Sequence, residues 1–165
     1  MSDLQGCRRG KIAGVWVKRL QVFTDDRGLL AELVRADDPY YGSDFETCAQ
    51  TTLTVSYPGV IKAFHYHQHQ DDAWFCVKGM IQAVMHDLRE GSPTFGTTEQ
   101  YSIGEHNPAL LIIPRGVVHG YRVLGAEAAW IVYHTSSVYQ PADPDELRLP
   151  HDDPRIGFDW TTRPR

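Results

Sequence analysis

The sequence predicts an all-β fold, an antiparallel jelly-roll barrel with short peripheral helices or loops. Three observations carry this. Short apolar or alternating runs recur along the chain, with turn signals at intervals of about 8 to 12 residues. No stretch keeps a helical period for more than about ten residues. From Ser136 onward, Pro141, Pro144, Pro150 and Pro154 exclude a long regular element. An antiparallel sheet curled on itself hides its edges and leaves an interior wide enough for a ligand.

The elements follow in order. Met1 to Gly14 reads as an irregular arm or short edge strand, and Val15 to Val22 alternates loosely. Phe23-Thr24-Asp25-Asp26-Arg27-Gly28 is a turn feeding a strand from Leu29 to Arg35. Ala36 to Glu46, polar with Tyr40, Tyr41 and Phe45 inserted, reads as a short helix or lid. Cys48 to Ser56 is a Thr-rich strand with Gln50, Thr52, Thr54 and Ser56 on one side, either a wet exterior or the polar wall of a pocket. Tyr57-Pro58-Gly59 turns the chain into a segment that carries His65, His67, His69 and Asp72, and Ala73 to Val77 is again strand-like. Met80 to Leu88, Gln100 to Ile103, Ala109 to Ile113, Tyr121 to Leu124 and Ala128 to His134 complete the strands.

Composition narrows the function classes. The 165 residues suit a single jelly-roll domain over 1–165, with an N-terminal arm and an irregular C-terminal segment. Sixteen basic and 21 acidic side chains, without a long run of either sign, disfavour general binding to nucleic acid or an anionic membrane. Cys7, Cys48 and Cys76 form an odd, sparse set that points to reduced thiols and a cytoplasmic location. No apolar stretch approaches the roughly 20 residues needed to cross a bilayer.

The chemistry concentrates between Gly59 and Gly79. In strand geometry His65 and His67 lie two apart and share a face. His119, in Pro114-x-Gly116-x-x-His119, follows an apolar run and is placed in the same cavity. Two functional readings arise. The order Gly59, His65-x-His67, Asp72, Gly79, then Pro114-x-Gly116-x-x-His119, resembles the two motifs of metal-binding cupins, with Asp72 where a Glu is usual and without the final Asn. Neutral imidazoles and a carboxylate with open positions suit a borderline divalent ion. The other reading is metal-free proton transfer, with His65 as base, Asp153 as its orienting carboxylate and Tyr133 as donor. Spacing alone does not tie Asp153 to His65.

Several blocks also resemble the dTDP-4-dehydrorhamnose 3,5-epimerase family. They are Asp26-Arg27-Gly28-x-x-x-Glu32, Gln50 with Ser56-x-x-Gly59, His65-Tyr66, Asp87-Leu88-Arg89-x-x-Ser92-Pro93-Thr94-Phe95-Gly96, Ile113-Pro114-x-Gly116-x-x-His119-Gly120, Tyr133 with Tyr139, and Asp153-Pro154-x-Ile156-Gly157-x-x-Trp160. The resemblance implies a cupin-type jelly roll that inverts C3, C5 or both in a nucleotide-linked 4-keto-6-deoxy sugar through an enolate. It places His65 at the general base, Asp153 at its carboxylate and Tyr133 at the general acid. It assigns His119 to substrate, Arg27, Glu32 and Gln50 to nucleotide contacts, and Tyr139 to an aromatic near the nucleotide. It further implies a homodimer, a nucleotide-diphosphate sugar as substrate and no cofactor. The chain departs from the family pattern at Lys62, where the family has Arg, at Asp72, where it has Lys, and at Ala83, where it has Asp. Lys62 still meets a diphosphate as a point charge. Two alternatives stand beside the epimerase: a metal-dependent cupin enzyme using His65, His67, Asp72 and His119 on a small molecule, and a non-catalytic sugar-nucleotide-binding barrel.

Overall fold

A computed structural model describes residues 6–162. Its strands are β1 (Cys7–Arg9), β2 (Trp16–Arg19), β3 (Val22–Asp25), β4 (Gly28–Ala31), β5 (Gln50–Ser56), β6 (Ile61–Tyr66), β7 (Asp72–Lys78), β8 (Met80–Asp87), β9 (Thr98–Gly104), β10 (Ala109–Ile113), β11 (Val117–Leu124), β12 (Ala129–Thr135) and β13 (Leu147–Arg148). They form a six-stranded sheet in the order β1-β2-β10-β7-β12-β5, a five-stranded sheet in the order β13-β6-β11-β8-β9, and a separate β3–β4 hairpin.

Period-two alternation explains how the layers stack. In β10, Ala109, Leu111 and Ile113 enter the cluster shared by both sheets, while Leu110 and Ile112 enter a second cluster with Tyr40 and Phe45. Both faces of β10 are therefore covered, and each fully buried Leu or Ile contributes about 1.5–3 kcal/mol. In β8 and β11, Ile81, Met85, Tyr121 and Val123 face the shared core, whereas Val84 and Val118 pack outward against Phe64, Ile156 and Trp160. The C-terminal segment thus covers the outer face of the five-stranded sheet.

The fold is all-β as expected, but the barrel and the peripheral helices are corrected. Among the described residues there is no α-helix, and neither sheet closes into a barrel. The six-stranded sheet ends in β1 and β5, and the five-stranded sheet ends in β13 and β9. The stretch read as a helix or lid, Ala36 to Glu46, is a series of turns. Pro39 interrupts it, and the buried Asp38 carboxylate accepts Lys18 Nζ at 2.7 Å, Tyr40 OH at 2.7 Å and Arg35 N at 2.9 Å. Those side-chain bonds stand where a helix would need its own backbone ladder. The expected Leu29–Arg35 strand stops at Ala31, and Val15–Val22 divides between β2 and β3. The region after Ser136 is irregular apart from β13, which joins the sheet edge beside β6.

Candidate active site

β6 and β11 set the centre. His119 pairs directly with His65, and a register shift after His119 brings Tyr121 opposite Lys62. The strands approach closely at Gly120, where an added Cβ would lie 2.5 Å from Ala63 Cβ and 2.8 Å from Lys62 O. From the facing sheet, Asp72 and Trp74 of β7 share one face, and Tyr133 of β12 pairs with Trp74. His67 lies just beyond β6.

Ligand-capable atoms of His65, His67, Asp72 and His119 lie within 4.8 Å of one another. His119 Nδ1 is 2.8 Å from Val117 O, and His67 Nδ1 meets Asp145 O. A carbonyl only accepts, so both Nδ1 atoms carry protons and donate. In the neutral rings each Nε2 therefore presents a lone pair. These lie 3.6 Å and 3.7 Å from Asp72 Oδ2, for His119 and His67 respectively. His119 Nε2 is buried without a hydrogen-bond partner. Asp72 is held by Trp74 Nε1 at 3.0 Å and Gln70 Nε2 at 2.8 Å, while Gln70 Oε1 accepts Ser137 Oγ at 2.9 Å. His67 Nε2 also lies 3.4 Å from Gln70 Nε2, and a lone pair facing a fixed carboxylate is unfavourable unless a proton or a cation lies between them. Backbone-fixed imidazoles and a hydrogen-bonded carboxylate are the outer-shell arrangement of a metal site.

Burial pushes the Asp72 carboxyl up, but the neighbouring imidazoles, His119 foremost and then His67 and His65, bring it down to about 2. Burial, with His119 next, holds His65 well below the ordinary histidine value, so its ring is neutral. His65 stacks on Trp74 with centroids 6.0 Å apart, and its centroid is 4.2 Å from that of His119.

Beside the cluster is a cavity of about 520 Å³ lined by His65, Tyr121, Tyr133, Lys62, Glu146 and Arg148, among others. Tyr133 OH donates to Tyr121 OH at 3.3 Å, and Tyr121 OH pairs with Ser56 Oγ at 2.8 Å. Burial, then Tyr121, pushes the Tyr133 phenol well above its ordinary value, so it is a protonated donor. Lys62 Nζ donates to Thr54 Oγ1 at 3.1 Å.

The cavity brings together His65, Tyr133 and Lys62, with His119 beneath. Asp153 stands elsewhere: Arg155 N, Nε and Nη2 donate to it at 2.9, 3.0 and 2.7 Å. Its turn leads into Ile156 and Trp160, which pack beside Phe64 on the outer face of the sheet, and alternation puts His65 on the other face. The carboxylate beside His65 is Asp72. Gln50 and Tyr139 meet each other, with Tyr139 N donating to Gln50 Oε1 at 3.0 Å, outside the cavity lining. Arg27 is tied to Asp25 in the β3–β4 turn, and Glu32 to Arg35.

Sequence reasoning passed over Gln70, Trp74, Tyr121, Asp145, Glu146 and Arg148. Two of these carried a signal, since Trp74 is two residues from Asp72 and Tyr121 two from His119. Glu146 and Arg148 carried none, because an irregular Pro-rich segment does not announce a two-residue strand.

Comparison with known proteins identifies the family and the fold. The profile of the dTDP-4-dehydrorhamnose 3,5-epimerase family matches residues 9–165. The spore coat polysaccharide biosynthesis protein SpsL of Bacillus subtilis is 54% identical over 151 residues, covering 92% of this chain and 97% of the relative. The dTDP-4-dehydrorhamnose 3-epimerase of Streptomyces niveus is 30% identical, covering 92% of this chain and 73% of the relative. The crystal structure of NovW, a 4-keto-6-deoxy sugar epimerase of Streptomyces spheroides, superposes with a TM-score of 0.85 at 29% identity, covering 94% of this chain and 79% of its own. The chain belongs to the dTDP-4-dehydrorhamnose 3,5-epimerase family and is an enzyme of the epimerase class.

Proposed function

We propose that this chain epimerises a nucleotide-linked 4-keto-6-deoxy sugar at C3, C5 or both, and that its centre works with a divalent cation held by His65, His67, Asp72 and His119. The substrate class rests on the family and on the names of its relatives. The cation rests on one observation: the buried, unpartnered His119 Nε2 faces Asp72 Oδ2 at 3.6 Å with its lone pair. Three imidazole nitrogens and one carboxylate oxygen match a borderline ion such as zinc, manganese, iron or nickel.

The chain's own residues supply the rest. Lys62 and Arg148 line the cavity and offer positive charge to a diphosphate. Trp74 and Gln70 hold Asp72, and the backbone carbonyls of Val117 and Asp145 fix the two imidazoles. Tyr133 holds a proton against the reacting carbon. When bound, the cation supplies the positive charge that a 4-keto oxygen needs as the adjacent carbon loses its proton. This cluster takes the place of a His65–Asp153 dyad.

The test has two parts. Metal analysis after gentle purification should find close to one divalent ion per chain, lost when His67 or His119 is replaced by Ala. A 4-keto-6-deoxy nucleotide sugar in deuterium oxide should gain deuterium at C3, C5 or both, a gain abolished by a chelator and restored by added cation. Exchange that ignores the chelator in a metal-free protein returns the chemistry to a neutral His65 acting as base. No exchange with any nucleotide version removes the substrate class.

A further inference from the structure

We infer that Tyr121 is a positioning residue for the Tyr133 phenol: its hydroxyl, fixed by Ser56, accepts from Tyr133 at rest and donates to the Tyr133 oxygen once that oxygen has given up its proton. The inference deepens the function proposed above and rests on it. It holds whichever group takes the first proton from the sugar.

Three hydroxyls form one chain. Tyr133 OH donates to Tyr121 OH at 3.3 Å, and Tyr121 OH pairs with Ser56 Oγ at 2.8 Å. Tyr121 and Ser56 are both buried, so bulk water does not compete for these bonds. The chain crosses between the layers, with Tyr121 on β11 of the five-stranded sheet and Ser56 and Tyr133 on β5 and β12 of the six-stranded sheet. Trp74 packs on both rings, meeting Tyr121 edge-on with centroids 5.6 Å apart and Tyr133 at 5.2 Å. Both phenols line the cavity.

A phenol hydroxyl has one proton to give and lone pairs to accept with. At rest the Tyr121 oxygen accepts from Tyr133, which leaves its own proton to bond Ser56. Rotation of two hydroxyls reverses the chain, Ser56 donating to Tyr121 and Tyr121 to Tyr133, with no heavy atom moved. The resting 3.3 Å bond is long for two hydroxyls. A hydroxyl that donates to a charged oxygen settles at about 2.5–2.7 Å and binds roughly twice as strongly. The contact is therefore stronger as charge develops on Tyr133 than before, which is the kind of interaction that lowers a barrier.

The step balances. The Tyr133 O–H bond breaks, its proton goes to the carbon beside the keto group, and the enolate electron pair forms the new C–H bond. The O–H pair stays on the Tyr133 oxygen as a phenolate, which accepts from Tyr121 O–H while Tyr121 keeps its proton. Water at the cavity then returns a proton to Tyr133, and the group on the opposite face releases to water the one it took.

The experiment follows deuterium gain and net inversion of a nucleotide 4-keto-6-deoxy sugar in deuterium oxide, with each protein loaded with its divalent cation. The parent is compared with Tyr121→Phe, Ser56→Ala, Tyr133→Phe and the double variant Tyr121→Phe/Tyr133→Phe. Tyr121→Phe keeps the ring against Trp74 and should lower net inversion about tenfold or more, the worth of a hydrogen bond to a charged group, while deuterium gain continues. Ser56→Ala leaves both phenols in place and should lower inversion by less, again with exchange retained. In the double variant inversion should fall no further than in Tyr133→Phe alone, because a residue that acts only through another is silent once the other is gone. A Tyr121 that serves the fold alone would add its loss to that of Tyr133. Inversion by Tyr121→Phe within twofold of the parent, additive losses in the double variant, or equal loss of exchange and inversion in both Tyr121→Phe and Ser56→Ala overturns the role of Tyr121 alone. A parent that shows neither exchange nor inversion overturns the proposed function, and the role of Tyr121 falls with it.

Discussion

Arg148 stands directly opposite His65 in the β6–β13 ladder. Residues so paired send their side chains from the same sheet face, with Cβ atoms about 4.5–5.5 Å apart. The guanidinium therefore rises beside the cavity on the same side as the imidazole, in a chain whose Lys62 lacks a two-pronged donor. Arg148 supplies a fork that matches paired phosphate oxygens. Arg148→Ala should raise KM for the nucleotide sugar about tenfold, with a smaller effect on kcat, in line with about 1.5 kcal/mol for a charged hydrogen bond. Arg148→Lys should recover only part of it. Steady-state kinetics decide this, and an unchanged KM in both variants would show that the guanidinium makes no contact with substrate.

Tyr133→Phe removes the hydroxyl and keeps the ring on Trp74, whose centroid is 5.2 Å away. The expected outcome is continued deuterium gain at the reacting carbon with net inversion suppressed about 10²-fold or more. Proton NMR of recovered sugar measures both quantities. Equal loss of exchange and inversion would place the phenol on the deprotonating side instead.

Asp87 offers a pH-dependent contribution to stability away from the site. Burial raises its carboxyl, but hydrogen bonds from Arg89, Ser92 and Thr94 outweigh that and hold it well below the usual range. The donors are Arg89 Nε and Nη2 at 2.9 Å, Ser92 Oγ and Thr94 Oγ1 at 2.6 Å, and Arg89 N at 3.1 Å. Because the folded-state value is depressed, the stabilisation is complete above the unfolded carboxyl value of about 4 and is lost as pH falls toward the folded value. Asp87→Asn should cost about 1.5–3 kcal/mol at neutral pH. The gap between the variant and the parent should narrow below about pH 4. Denaturant midpoints at several pH values test the sign.

Gly120→Ala puts a methyl against backbone on the seam that carries His65 and His119, with Ala63 Cα 2.7 Å and Lys62 O 2.8 Å from the new atom. Neither neighbour is a flexible side-chain end. The expected cost is about 1–3 kcal/mol, read as a lower unfolding midpoint, together with weaker cation retention. A midpoint equal to the parent's would mean that β6 and β11 can separate without penalty.

The readable part of this molecule was its periodicity. The strand Ala109–Ile113 was placed at its observed bounds because five consecutive apolar residues between turn signals allow little else. The His65–His119 meeting was legible because each histidine sits at the end of a recognisable strand or turn motif. Closure of the sheets was not legible, since it depends on whether β1, β5, β9 and β13 find partners, and edge pairing leaves no periodic trace. Motif alone draws Asp153 to His65, whereas its carboxylate is bound by Arg155, only two residues away in a turn that alternation does not describe. Asp72 was visible as a ligand in the metal motif, but the lone-pair geometry behind it depends on Val117 and Asp145 carbonyls, which sequence spacing does not reveal.

Asp145 accepts the backbone N–H groups of Gln68, His69 and Gln70 at 2.8, 2.8 and 3.0 Å on its carboxylate and the His67 Nδ1–H hydrogen bond on its own carbonyl. One residue of the irregular C-terminal stretch thereby fastens the loop between β6 and β7. Local opening of that stretch and slackening of the histidine loop become a single event, with its own free energy apart from global unfolding. The amides of residues 68–70 should then lose protection in step with those of β13, so that the competence of the centre is governed by how often one short latch comes undone.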